Sequence, residues 1–269
     1  EKEEWDRFGF SQTELTNLPE PVKKDMAGVN KIYLSGSADI FGCLVTGSFE
    51  PLSDEHQGII SRFASVFNQT YTRFLDLQKA EEQAREAQIE ASLERVRAHA
   101  MGLRGSGELR KIITIIFEEL NKLGISLSES SIFIVKDNTR DFTCWTSSES
   151  AQLAESYSVP YFNHPIIENL WKDIKNKVSF REFIIENEEL LEFADMLFTL
   201  TDFKFAPDDY KNSFRSLDRV YVVQAMMKHG YLEVFGTEPL PLKFVDVIKR
   251  FTNVVDLTYT RFLDLQRAE

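Results

Sequence analysis

The sequence predicts an α+β fold in which an antiparallel sheet is flanked by helices and connected to a long helix. Three observations lead to this prediction. Alternating apolar residues predict strands between residues 130 and 161 and a hairpin over 220–235. Residues 54–103 contain no proline and carry apolar side chains three or four positions apart, which predicts one long amphipathic helix or two nearly continuous ones. An internal repeat shows that part of this pattern occurs twice.

The repeat has a period of 188 residues, and it continues in both directions without a gap. Residues 71–78 (YTRFLDLQ) recur identically as residues 259–266. Outside this block, Gly42 matches Gly230 at the same offset. Identity of this length, in frame with further matches, identifies a duplicated unit.

The repeat and the helix divide the chain into three predicted parts. Residues 1–81 form the C-terminal part of a first repeat, residues 57–104 form the connecting helix, and residues 105–269 form a complete second domain with a closing helix. The first part lacks the counterpart of residues 82–188, so its sheet would lack strands and expose an edge. Either the chain was cut from a longer protein, or another segment or subunit completes the first repeat.

Local patterns predict the order of elements in the second domain. An opening helix is predicted over 107–123, with Ser106 as its N-cap and Gly124 as its stop signal. A helix also begins near Pro165, because proline suits the first helical turn. The other elements are predicted as follows: strands over 130–135, 141–146, 156–161, 178–183, 220–225 and 231–235, and helices over 187–200, from Pro207 and from Pro241.

This order of elements resembles the GAF domain. Residues 131–135 look like the first strand of that family, and residues 177–180 look like its fourth strand. Residues 84–98 look like the helices that join such domains in bacterial signalling proteins related to histidine kinases and nucleotide cyclases. The resemblance implies a sensing module that passes a signal through its terminal helices. PAS and NTF2-like folds are alternatives, since both are α+β shells around a pocket.

Composition excludes several classes of partner. The net charge of −12 disfavours binding to nucleic acid and to anionic membranes. The longest apolar runs, such as 115–117, are far too short to span a membrane. Cys43 and Cys144 lie far apart, which indicates a reducing cytoplasm and predicts that both thiols are buried and unbridged. We therefore expect a cytoplasmic protein.

The usual catalytic and metal-binding patterns are missing from the sequence. The histidines lie far from one another and from both cysteines, so no metal or other cofactor is predicted. Enzymes and chromophore-binding proteins related to GAF domains need paired or reachable thiols, and the two separated cysteines do not meet that need. Phosphate-binding loops and nucleophile elbows are also absent. The sequence therefore predicts that the protein is not an enzyme.

A candidate ligand pocket is predicted where the helical region before the hairpin covers one face of the sheet. That region is rich in aromatic residues: Phe193, Phe198, Phe203, Phe205, Tyr210 and Phe214. The candidate site residues combine an apolar lining with a few polar groups, and they are Trp145, Tyr161, His164, Phe203, Tyr221 and Gln224. The alternative is that these aromatic residues simply fill the core.

The predicted function is a tandem GAF-like sensory module that binds a small molecule or a partner. The alternative is a scaffold that dimerises and binds no ligand. A parallel homodimer is predicted through the 57–104 helix, because its apolar stripe is too long for one small domain to cover. The stripe contains Phe63, Phe67, Phe74, Leu77, Leu93, Val96 and Leu103, with Leu263 pairing likewise near the C-terminus. A change of helix register near 84–89 would carry the signal.

Overall fold

The structure is a computed structural model that describes residues 8–9, 11–29, 31–102, 108–148 and 156–268. The chain divides into two compact units, residues 1–83 and 84–269. The predicted N-cap Ser106 and the stripe residue Leu103 lie outside the described residues. None of the described helices is long and apolar enough to cross a membrane.

The first unit contains a helix, a hairpin and most of a long helix. Helix α1 (Glu20–Gly28) precedes strands β1 (Tyr33–Asp39) and β2 (Gly42–Ser48). The two strands pair antiparallel from Tyr33 opposite Ser48 to Asp39 opposite Gly42. Gly42 follows the tight turn and has a φ of 150°, a backbone conformation that residues other than glycine rarely adopt. Leu34, Leu44 and Val45 of this hairpin are exposed.

Helix α2 (Asp54–Ala100) confirms the predicted long helix. Its first turn carries the acidic residues Asp54 and Glu55, and its last turn carries the basic residues Arg97 and His99. Acidic groups at the start of a helix and basic groups at its end interact favourably with the helix dipole. The boundary between the two units falls within this helix.

The second unit follows the order of elements that the GAF resemblance implies. An opening helix precedes two strands, a short third strand, a helix and a fourth strand. A helical region then leads to a hairpin and a closing helix. In chain order these elements are α3 (Leu109–Lys122), β3 (Glu129–Val135), β4 (Phe142–Ser148), β5 (Tyr157–Val159), α4 (Pro165–Lys175), β6 (Phe180–Glu186), α5 (Asn187–Leu200), α6 (Asp208–Arg215), β7 (Arg219–Met227), β8 (Gly230–Gly236) and α7 (Val245–Ala268).

The strands of the second unit form one six-stranded antiparallel sheet in the order β5-β4-β3-β8-β7-β6. Strand β8 lies between β3 and β7, so the C-terminal hairpin occupies the centre of the sheet. The predicted α+β fold, with an antiparallel sheet flanked by helices, is therefore confirmed.

Helices cover both faces of this sheet, and each face has its own core. On the first face the end of α2 packs with α3 and α7, and Leu93, Val96 and Phe251 are buried there. On the second face α4, α5 and α6 form the other layer, with Leu170, Leu190 and other buried residues. Because side chains alternate along a strand, each strand contributes to both cores.

Several predicted boundaries needed correction. Strand β6 begins at Phe180, because residues 176–178 complete the end of α4 through a hydrogen bond from the Val178 amide to the Asp173 carbonyl. Strand β5 is shorter than predicted and ends before Pro160. Proline lacks the amide hydrogen that would continue the pairing. Helix α5 matches the predicted residues 187–200.

The two copies of the repeat have the same local structure and different surroundings. Strands β2 and β8 are offset by 188 residues at both ends. Cys43 is exposed, whereas its counterpart Tyr231 is buried in the sheet of the second unit. The prediction that Cys43 is buried is therefore wrong, because the described residues of its unit place no second layer on the hairpin. Cys144 is buried, and both cysteines are free.

The helical stripe shows the same contrast between the two copies. Phe63 and Phe67 are 65% and 62% exposed, whereas their counterparts Phe251 and Val255 are fully buried. Leu93 and Val96 were predicted to lie in the same partner-facing stripe, but both are buried in the core of the second unit. Leu93 and Val96 therefore pack within the second unit. The part of the stripe at 63–77 is the part that is exposed.

Candidate functional site

A cavity of about 70 Å³ lies between the second face of the sheet and helices α4, α5 and α6. The walls are mostly aromatic and aliphatic. The sheet and the adjoining helices contribute six of the aromatic rings: Phe133, Phe142, Phe203, Phe214, Tyr231 and Phe235. A cavity of this kind is dry unless polar groups face it.

Polar side chains do face it, because Glu129, Gln224 and Glu233 line the cavity. Gln224 and Glu233 belong to a row of polar side chains that crosses this face of the sheet. Arg181 of β6 pairs with Gln224 of β7, which pairs with Glu233 of β8. Glu233 in turn pairs with Ser131 of β3, and Ser131 pairs with Thr146 of β4. Residues directly opposite one another on adjacent strands share a face of the sheet. The strand register therefore brings five polar side chains from five strands into one line.

Gln224 links Arg181 to Glu233. Arg181 Nη1 donates to Gln224 Oε1 over 2.8 Å, and Gln224 Nε2 donates to Glu233 Oε2 over 2.5 Å. Because a guanidinium group can only donate, the amide oxygen of Gln224 must face Arg181 and its amino group must face Glu233. Arg181 Nε is also 2.8 Å from Asp173 Oδ2 of α4. Gln224 is therefore fixed in one orientation.

Glu129 lies beside the other end of the row, two residues before Ser131 on β3, and three side chains lie within hydrogen-bond distance of it. Thr146 Oγ1 donates to Glu129 Oε1 over 2.6 Å. Ser131 Oγ lies 3.1 Å from the same oxygen and donates over the shorter distance of 2.7 Å to Thr146 Oγ1. Tyr210 of α6 donates to Glu129 Oε2 over 2.7 Å. The last bond ties the covering helix to the sheet. Both oxygens of this buried carboxyl group are thus hydrogen-bonded, as buried polar groups require.

Burial disfavours the charged form of both carboxyl groups. The pKa of Glu233 is raised from 4.5 to about 7, chiefly by burial, with the hydrogen bond from Gln224 opposing the rise and the charge of Glu129 contributing to it. Burial likewise raises the pKa of Glu129, although the bonds from Thr146 and Tyr210 oppose the shift. Burial of the neighbouring Cys144 raises the pKa of its thiol well above the usual value. This cysteine is therefore a poor nucleophile.

Two of the six predicted site residues reach the cavity. Phe203 and Gln224 line it, as do Phe193, Tyr210 and Phe214 of the predicted aromatic region. Phe205 does not, because it is 74% exposed.

Trp145 and Tyr221 lie on the opposite face of the sheet. Trp145 stands opposite Ile132 on the neighbouring strand, and both pack against the layer of α3 and α7. Tyr221 alternates with Val220 and Val222, which line the cavity, so its side chain points away from it. Their assignment to the pocket is therefore wrong. The strands were identified, but the face of each residue was not.

Tyr161 and His164 lie beside the cavity. Tyr161 donates to Glu168, and the guanidinium carbon of Arg140 lies 3.8 Å from the centre of its ring. His164 is the N-cap of α4, where Nδ1 accepts from the Ile166 amide over 3.2 Å. Burial lowers the pKa of His164, which favours the neutral ring that this bond needs. Both residues therefore stabilise the start of α4 and do not line the pocket.

Sequence reasoning missed the two carboxyl groups. Glu233 is the only charged residue within the apolar run 231–235, and it shares the strand face of Tyr231 and Phe235. A lone acid in a central strand is a signal that could have found it. Glu129 carried no such signal, because it opens its strand beside the polar residues Ser128, Ser130 and Ser131. No group of three or more His, Cys, Asp or Glu side chains placed to bind a metal occurs in the described part of the chain.

Comparisons with known proteins found similar structures only. No protein-family model matches the chain, and no curated protein sequence matches it significantly. A phycoerythrobilin-bound GAF domain from a cyanobacterial phytochrome is 13% identical with a TM-score of 0.38, covering 66% of this chain and 97% of that one. The nlh2 GAF domain of A. aeolicus in an inactive state is 9% identical with a TM-score of 0.34, covering 68% and 99%. The chromophore-binding domain of an unusual bacteriophytochrome from R. palustris is 8% identical with a TM-score of 0.39, covering 91% and 79%.

Proposed function

We propose that the protein is a sensory or regulatory module whose second unit binds a small molecule in the cavity between the sheet and α4 to α6. The observation that carries this proposal is the set of three polar side chains, Glu129, Gln224 and Glu233, that line an otherwise apolar cavity. Sites that bind small molecules combine an apolar lining with a few fixed polar groups. The proposed role is regulatory and involves no catalysis, in a cytoplasmic bacterial signalling protein with repeated GAF-like units.

The polar row is costly for a structure that needs only a core. Carboxyl groups removed from water lose hydration free energy, and apolar side chains of similar size would usually be at least as stable. Glu233 meets this cost with one hydrogen bond from a described residue, that from Gln224. Buried titratable groups with shifted pKa values are common at functional sites. A binding role accounts for their presence here.

Strands β7 and β8 connect the cavity to the helices on the opposite face of the sheet. Gln224 and Glu233 face the cavity, while their neighbours Val223 and Val234 pack in the core of α3 and α7. Helix α7 is tied in turn to the end of α2, because Arg250 Nη2 is 2.7 Å from Glu86 Oε1. A ligand that moves β7 or β8 would therefore change contacts at both long helices.

A thermal-shift screen of small metabolites on the full chain tests the proposal. Ligands of the folded state raise the melting temperature by an amount that grows with the logarithm of the ligand concentration over its Kd. Leu197→Phe should abolish the shift by filling the cavity, since Leu197 lines it. Leu191→Phe is the matched control on the same helix, because Leu191 is 46% exposed. A chain that no compound stabilises would support the alternative, a scaffold that dimerises and binds no ligand.

The second part of the proposal is a homodimer formed through the exposed stripe of α2. Phe63, Phe67, Phe74 and Leu77 are each at least half exposed. In the second unit the equivalent positions of Phe63, Phe67 and Phe74 are buried against neighbouring helices. The exposed stripe of α2 therefore suits packing against a helix. Burial of large apolar side chains stabilises association, and a symmetric pair is the commonest arrangement. A second copy is therefore the proposed partner.

Sedimentation of the full chain tests the dimer. Phe67→Glu should shift the equilibrium to monomer, because it places a charge in the paired stripe. Ser65→Glu should leave the dimer intact, since Ser65 is exposed and lies on the opposite side of the helix. A wild-type chain that remains monomeric at high micromolar concentration would refute this part of the proposal.

A further inference from the structure

The carboxyl groups of Glu129 and Glu233 differ in whether an oxygen remains free to accept a hydrogen bond from a ligand. Both oxygens of Glu129 accept hydrogen bonds, Oε1 from Thr146 and Oε2 from Tyr210. Glu233 accepts only from Gln224, through Oε2, among the residues that the structure describes. Glu129 therefore holds the covering helix in place, while Glu233 retains an oxygen that can accept from a ligand.

We propose that the cavity binds a small organic cation, a primary ammonium or amidinium group on a short apolar body, with Glu233 as its counter-ion. This inference rests on the proposed function of the cavity as a ligand site and names the chemical class of the ligand.

The polarity of the floor distinguishes a cation from an anion. The positive group of the row, Arg181, is already bonded to Asp173 and Gln224 over 2.8 Å each. An anion would face the carboxyl groups of Glu129 and Glu233 with no free positive partner among the groups of the row. A cation would meet a carboxylate and aromatic rings, whose faces attract positive charge.

The size of the cavity limits the ligand. About 10 to 15 Å³ of such space holds one water molecule. A cavity of about 70 Å³ therefore holds roughly five water-sized groups. Short branched alkylamines fit this limit, whereas nucleotides and tetrapyrroles do not fit without a large rearrangement of α4 to α6.

Calorimetric titration of the full chain at pH 8 with three probes of similar shape tests the class of ligand. The probes are 3-methylbutylamine, 3-methylbutanol and isobutyrate. We expect the amine to bind and the other two to bind roughly tenfold or more weakly, because only the amine brings a positive charge to the carboxylate of Glu233. Glu233→Gln should weaken amine binding by a similar factor. Glu182→Gln, on the exposed side of β6, should leave it unchanged.

The outcomes separate this inference from the function on which it rests. Tighter binding of the alcohol or the acid would overturn the cation while supporting a ligand cavity. Amine binding that Glu233→Gln does not weaken would overturn the role of Glu233. Failure of all three probes, together with a metabolite found by the thermal-shift screen, would overturn the class alone. Failure of every compound in both experiments would overturn the proposed function as well. A circular dichroism spectrum matching wild type would show that Glu233→Gln is folded.

Discussion

Replacing Glu233 with glutamine should change how the stability of the protein depends on pH. Burial raises the pKa of Glu233 to about 7 in the folded chain, whereas the unfolded chain keeps a value near 4.5. Between these values the unfolded state releases a proton that the folded state retains, so stability falls as pH rises from about 4.5 to about 7. Above that range the loss is complete. A shift of this size corresponds to at most about 3 kcal/mol.

The glutamine variant carries no proton to release, so it escapes this loss. Relative to wild type, its free energy of unfolding should rise by about 2 kcal/mol between pH 5 and pH 8. Any cost of rebuilding the contact with Gln224 is the same at every pH and cancels in this comparison. The pKa of Glu129 should also fall in the variant, because the charge of Glu233 no longer opposes its ionisation.

Urea unfolding of the full chain, followed by tryptophan fluorescence at four pH values from 5 to 8, measures this difference. Trp145 and Trp171 both lie in the second unit and report on it. Glu182→Gln removes the same charge from an exposed position of β6 and should follow wild type across the range. A stability difference between Glu233→Gln and wild type that stays constant with pH would refute the reasoning, because it would show an ordinary pKa for Glu233.

Three further changes test the fold. Gly230→Ala should destabilise the second unit by about 3 kcal/mol or more in the same urea assay, since the added carbon would lie 1.8 Å from a backbone oxygen of β3. Gly58→Ala is the control and should not lower stability, because no atom lies close to the added carbon. Tyr210→Phe should cost about 1–3 kcal/mol in that assay, because a buried carboxyl group loses a donor. A thiol-reactive dye should label Cys43 in the folded protein and Cys144 only after unfolding, so labelling of two thiols before unfolding would contradict the burial of Cys144.

The fold could be predicted from the sequence because its signals are local. Helix α5 was placed correctly from its charged first turn and apolar spacing, and the hairpin of β7 and β8 from alternation around Gly230. The boundary at the end of α4 was missed because a local hydrogen bond from Val178 to Asp173 extends the helix end into the residues predicted as strand. The prediction for Cys43 failed because the repeat shows which residues are equivalent but does not show what covers them.

The candidate site was harder to predict because it depends on strand register. Gln224 and Glu233 lie on the two strands of one hairpin and Ser131 lies far from both in sequence, yet the register places all three in one row. The face of a residue in a sheet covered on both sides cannot be inferred from hydrophobicity, since both faces are apolar. Trp145 and Tyr221 were misplaced for this reason.

The repeat also distinguishes the residues of the proposed site from those that maintain the hairpin and the helix common to both copies. The counterparts of Gln224 and Glu233 in the first hairpin are Gly36 and Val45, so the polar row has no equivalent there. The turn glycine and the helical block 71–78 are identical in the two copies. Residues that both copies share therefore serve the hairpin and the helix that follows it. The carboxyl group and its amide partner belong to one copy, as expected if the second unit alone binds the ligand while both copies provide helical contacts.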